Sequence, residues 1–208
     1  MTGISGSRTA PPLAAARRAF YLAPHAATPC EAVSTIEVRV TKKGDGALEL
    51  VYAVEGDPRR VRLPEPATPR RVDGLWRHTC FEAFIGPQCE VSDPAAPAEA
   101  PALLGAPYVE LNFSPSGEWA GYAFDGYRSG IRPLEDLTAP VITLERDVGR
   151  GRWSMRAAVN VGSLAGASAR LALAAVIEDT DGRLAYWALK HFSGTPDFHH
   201  PGGFAAEL

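Results

Sequence analysis

The chain has 208 residues and a net charge of −3, with 46% hydrophobic and 22% charged residues. This is the composition of a globular domain with a sizeable core, and it excludes the global basic field of a nucleic-acid binder. Gly 20 and Pro 18 are too many for a long helical bundle and suit many turns between short strands. No apolar run approaches the ~20 residues of a membrane span, and the first residues lack the apolar stretch of a signal peptide. A cytoplasmic location, with no nucleic-acid or membrane partner, is therefore expected.

Residues 1–16 are small and polar and read as a flexible arm, with order beginning near Phe20. Ile36, Val38 and Val40 alternate with Glu37, Arg39 and Thr41, which predicts a strand over 35–43. A second alternating run over 48–55 follows Lys43-Gly44-Asp45-Gly46, so the two form a hairpin. A short strand is expected over 59–63, a loop over 64–69 and a strand over 75–86. The stretch at about 88–106 is rich in Pro and Ala and reads as a mobile insertion within one domain spanning 17–208. Strands then follow over 108–113 and 119–124, 141–146 and 152–161, and 171–178 and 184–189, each pair joined by a turn. The only helix candidates are the short stretches Pro12 to Phe20 and Val161 to Ala169. Hairpins at this spacing predict an all-β, antiparallel β-sandwich.

The chain lacks the signatures of α/β-hydrolases, P-loop and dinucleotide binders, zinc proteases and EF-hands. Cys30, Cys80 and Cys89 are widely spaced with no CxxC, so three free thiols are expected. Adjacent His199 and His200 point apart in most backbones, so with His191 they make a poor metal site. His199 and Asp197 suit turn capping instead. Met155 lies in an alternating apolar strand and does not suit haem ligation. No metal or other cofactor is expected, with calcium left open because loop carboxylates and carbonyls carry no reliable signature.

Polar residues inside the strands are more informative. Period two puts Trp76, His78, Cys80, Glu82 and Phe84 on one face of 75–86, and Tyr108, Glu110 and Asn112 on one face of 108–113. If those strands pair, Glu82, Glu110 and Asn112 lie side by side near Trp76 and His78. An indole beside hydrogen-bonding groups suits a sugar, whose apolar face stacks while its hydroxyls bond laterally. The competing reading is an ordinary solvated outer face of an antiparallel sheet. Arg128, in the turn 125–130, is either a fork donor to a ligand or an ion-pair partner of Glu82 or Glu110. Periodicity favours the core for Trp187, which stands among apolar residues.

The strings DGLWRHTCFEAFIG (73–86), YVELNFSPSGEWAGYAFDGYRSG (108–130), AVIEDTDGRLAYWAL (175–189) and PDFH (196–199) resemble a bacterial DOMON-like group. That group is similar to the family-nine carbohydrate-binding modules. The resemblance implies a jelly-roll or immunoglobulin-like sandwich with a ligand pocket on its concave face. In the sugar-binding members two tryptophans clamp a sugar while Glu, Arg and Asn bond its hydroxyls. By that likeness Trp76 and Glu82 supply one half of the clamp and Trp187 the other. The expected site is thus Trp76, His78, Glu82, Glu110, Asn112, Arg128 and Trp187, with Arg128 or His78 contacting Glu82 or Glu110. The expected function is non-catalytic binding of a small sugar or sugar-like ligand. The alternatives are an enzyme acting on a sugar derivative through paired carboxylates Glu82 and Glu110, and a protein-interaction module.

Overall fold

A computed structural model describes residues 16–87, 105–166, 169–192 and 194–208. The elements in chain order are β1 (Ala16–Pro24), β2 (Val33–Lys42), β3 (Ala47–Gly56), β4 (Cys80–Pro87), β5 (Tyr108–Phe113) and β6 (Trp119–Phe124). They continue with β7 (Arg132–Pro133), β8 (Val141–Asp147), β9 (Arg152–Asn160), β10 (Ala169–Glu178), β11 (Leu184–Ala188) and β12 (Ala206–Glu207). Among the described residues there is no α-helix, and none long and apolar enough to cross a membrane.

The strands form one continuous antiparallel path, β7-β6-β5-β4-β10-β11-β1-β2-β3-β9-β8, with β12 beside β10. The all-β expectation holds. The sequence pointed to two packed sheets, whereas β1 stitches all the strands into one. Its residues Ala16 to Leu22 pair with β2, and Ala23 and Pro24 pair with β11. The path curls so that its two halves share one buried cluster. Ile36, Val38, Leu50, Tyr52 and Met155 come from one half, and Phe81, Leu111, Phe113, Leu173 and Ile177 from the other. Tyr52 spans this core: its ring lies 4.8 Å from that of Phe81, and its hydroxyl donates to the Glu82 carbonyl at 2.8 Å.

Several boundaries differ from the sequence expectation. Ala16 begins β1 rather than ending an arm, and from Ala16 to Phe20 the chain is strand rather than helix, because Arg17 to Leu22 continue a ladder with β2. Residues 162–165 form a 3-10 turn, not a helix. At 59–63 the chain makes a 3-10 turn and a single bridge, Val61 to Asp179, instead of a strand. Leu75 to Arg77 also form a 3-10 turn after Gly74, whose φ of 80° reverses the chain, so β4 begins only at Cys80. The expected arm up to residue 15 and most of the expected insertion, 88–104, lie outside the described residues, as does Cys89. Cys30 and Cys80 are free thiols.

The half formed by β4, β5, β6 and β10 is buried on both faces. Odd-numbered residues of β4 and β5 enter the main core, while Cys80, Phe84, Tyr108, Tyr122 and Phe124 join a second cluster on the opposite face. What covers that second face is the chain after β11. Phe198 and Phe204 pack on the cluster, and β12 then pairs with β10. At Gly86 a Cβ would come within 3.1 Å of the Phe204 ring, so glycine there makes room for the tail.

Candidate functional site

On this covered face Glu82 of β4 sits directly opposite Asn112 of β5, and Glu110 opposite Phe84. Glu82 and Glu110 are thus diagonal neighbours on adjoining strands, a spacing of ~7–8 Å, within reach of two glutamate side chains. Along the Glu82 row the other partners are small: Ala174 and Ala188 on one side, Ala120 beyond Asn112 on the other. Short side chains leave space above the sheet. The Trp76 turn bounds it at one side and Pro196 to His199 at another, enclosing a pocket of about 340 Å³.

The lining brings together Trp76, Glu82, Glu110 and Arg128 from the expected set. The competing reading of a solvated face is overturned, since Glu82 is 3% exposed, Glu110 5% and Asn112 0%. Asn112 does not line the pocket. It lies beneath, donating Nδ2–H to Glu110 Oε1 at 2.7 Å, and its own Oδ1 is buried without a donor. Trp76 is 39% exposed, its ring edge-on to Tyr122 at 5.9 Å. Tyr122 is held in turn by Asp73, which accepts from its hydroxyl at 2.7 Å.

Three expectations are corrected. Trp187 is buried in the main core on the opposite face, as its apolar neighbours indicated and against the role implied by the resemblance. Tyr186, one residue away, lines the pocket instead, because neighbours on a strand face opposite ways. His78, beyond the start of β4, turns away to Glu178, with Nδ1 2.7 Å from Oε2. Nor does Arg128 bond to either pocket glutamate. Its guanidinium donates to Asp197 Oδ1 at 2.7 Å.

Asp197 ties the tail to the β6–β7 turn. Besides Arg128 it accepts from the Tyr127 hydroxyl at 2.5 Å and from the His199 backbone N–H at 3.1 Å, the turn-capping role expected of it. Arg128 adopts φ 52°, a left-handed conformation uncommon for a side-chain-bearing residue, and its N–H then reaches the Tyr108 hydroxyl at 3.3 Å. That hydroxyl lies 2.8 Å from His199 Nδ1. Since it accepts from Arg128, its own proton is free to go to Nδ1. His199 then carries its proton on Nε2, which lies 3.8 Å from Glu110 Oε2. Burial lowers the His199 pKa to about 4, so the ring is neutral at ordinary pH.

The electrostatics of the floor follow from what is missing around it. Among the described residues no side chain donates to the Glu82 carboxyl. Burial, then repulsion from Glu110, raise its pKa well above the usual carboxyl range. Burial raises Glu110 to about 7, opposed by the Asn112 hydrogen bond and the positive charge of Arg128. Desolvation is the leading cause in both. Glu178, also buried on this half-sheet, is treated differently: it receives Arg62 Nη1–H at 2.6 Å and faces His78.

Sequence reading missed Tyr122, Phe124, Tyr186, Phe198 and His199, all of which line the pocket. For Tyr122 and Phe124 a signal existed, because they alternate with Gly121 and Ala123 and share the parity of Ala120 rather than of core-facing Trp119. For Phe198 and His199 there was none, since a loop has no period. Among the described residues no group of three His, Cys, Asp or Glu side chains converges as metal ligands do. No protein-family model, curated protein or solved structure matches the chain.

Proposed function

We propose that the chain binds a small sugar or sugar-like ligand, without turning it over, in the pocket above Glu82 and Glu110. The jelly-roll or immunoglobulin-like sandwich belongs to the same reading, with the two half-sheets as its layers. The observation that carries it is an indole at the mouth of a pocket floored by buried carboxyls. A pyranose has an apolar face for the ring and lateral hydroxyls for the carboxyls. A pocket of about 340 Å³ is at the small end of ligand sites, the size for one or two sugar units. Buried polar groups without partners are costly, and hydroxyls of a ligand would satisfy them.

Saturation-transfer NMR with a panel of mono- and disaccharides tests this. The expected result is transfer to at least one sugar, lost in Trp76→Ala while the melting temperature is kept. No transfer to any sugar, or equal transfer in Trp76→Ala, overturns it.

One observation favours the enzymatic alternative. Burial pushes the Glu82 carboxyl well above the usual range and Glu110 up to about 7, and two carboxyls whose ionisations differ are what acid–base chemistry on a glycoside uses. Glu82→Gln separates the two readings. A binder loses affinity, whereas an enzyme loses turnover with substrate still bound.

A further inference from the structure

Among the described residues, the buried carboxyl outside the pocket is matched by opposite charge. The buried carboxyls among the described residues are Glu82, Glu110 and Glu178. Glu178 has a guanidinium and an imidazole. Half-exposed clusters are matched too, as at Glu49 with Lys43 and Arg156. Among the buried carboxyls of the described residues, only those at the pocket floor are short of donors. Glu82 offers two carboxyl oxygens and has no donor among the described residues, and Glu110 has one donor, on Oε1. The guanidinium that lines the pocket, on Arg128, is already engaged by Asp197, itself an anion.

We propose that the ligand of this pocket carries a cationic amino group, so that within the sugar-like class the pocket takes an amino sugar. The inference rests on the sugar-like reading for the rest of the ligand, but its charge is argued separately. An ammonium brings three N–H donors and the counter-charge the floor lacks, whereas a hydroxyl brings one donor and no charge. Desolvated carboxylates gain most from such a partner, because the pocket's low dielectric strengthens the attraction. The walls suit a cation as well. Trp76, Tyr122, Phe124 and Tyr186 present aromatic rings, which attract ammonium groups through their quadrupoles. The burial that pushes both carboxyl pKa values up, and the repulsion from Glu110 that adds to it at Glu82, would be relieved by the same charge.

Isothermal titration of the full chain with matched gluco, galacto and manno series separates charge from sugar. Each series comprises the hexosamine, the hexose and the N-acetylhexosamine, with ethanolamine as a non-sugar amine. The expected result is that one hexosamine binds at least about tenfold tighter than its hexose and its N-acetyl form. In Glu82→Gln that preference should shrink to within about twofold, with melting confirming that the variant folds. A hexose or N-acetylhexosamine binding as tightly as its hexosamine overturns the cationic inference and leaves the sugar reading standing. Ethanolamine binding as tightly as the hexosamine supports the cation and overturns the sugar reading. No binding by any probe overturns both.

Discussion

The two outer faces of the curled sheet began from the same sequence pattern and ended differently. On the β2-β3-β9 half, alternation puts charged residues into solvent, where they pair across or along strands: Arg39 with Glu37, Arg152 with Glu55, Arg156 with Glu49. On the β4-β5 half, alternation puts Glu82, Glu110 and Asn112 outward in the same way, but the tail after β11 and the Trp76 turn cover them. The first face satisfies its charges with water and each other. The second leaves carboxyls dry and short of donors, an arrangement that costs stability unless something else benefits. A polar residue on an outward face becomes a site only when another segment takes its water away.

The covered face should respond most strongly to pH. The folded-state pKa of Glu110, about 7, lies above the ordinary 4.5, so its protonation favours the fold below pH ~4.5. That contribution is lost as pH rises through about 7. A rise of ~2.5 units corresponds to about 3 kcal/mol. Denaturant melts of wild type and Glu110→Gln should therefore diverge with pH, the variant gaining about 2–3 kcal/mol relative to wild type between pH 4.5 and 8. A stability difference that stays flat across that range sinks the claim that this carboxyl is desolvated.

A smaller effect concerns the cover. Asp197→Ala removes the acceptor shared by Tyr127, Arg128 and the His199 N–H. It should cost about 2 kcal/mol and speed hydrogen exchange at Phe198 to Phe204 while leaving β2 and β3 protected. Unchanged exchange in the tail would show that its apolar contacts alone hold it down.

The smallest effect belongs to the solvated face. Arg152→Ala breaks an exposed pair with Glu55 and should shift stability by less than about 0.5 kcal/mol. A loss above about 2 kcal/mol would mean that this face is no better solvated than the covered one.

Most strands were legible in the sequence because period two is strong where one side of a strand is apolar. Tyr108–Phe113 and Trp119–Phe124 were read to the residue, and parity correctly separated Glu82 from Phe81 and Glu110 from Leu111. The failures have physical causes. Trp76 and His78 were extrapolated along a strand that stops at Cys80, because Gly74 and the 3-10 turn break the period there. Parity told which way Glu82 points but not whether it meets water, since the cover comes from Phe198 and His199, more than a hundred residues away in sequence. Arg128 was placed at the right edge of the pocket and given the wrong partner, because Asp197 competes for it from the same distant tail.

The most direct test follows the carboxyl carbons themselves. With glutamate labelled at the side-chain carboxyl and resonances assigned by Glu→Gln variants, NMR titration with hexoses and hexosamines reports which carboxyls meet a ligand. The account predicts that Glu82 and Glu110 shift together and saturably while Glu178 and Glu55 stay in place. Shifts at Glu178 or Glu55 with Glu82 and Glu110 unmoved, or no saturable shift at any of the four, would contradict it.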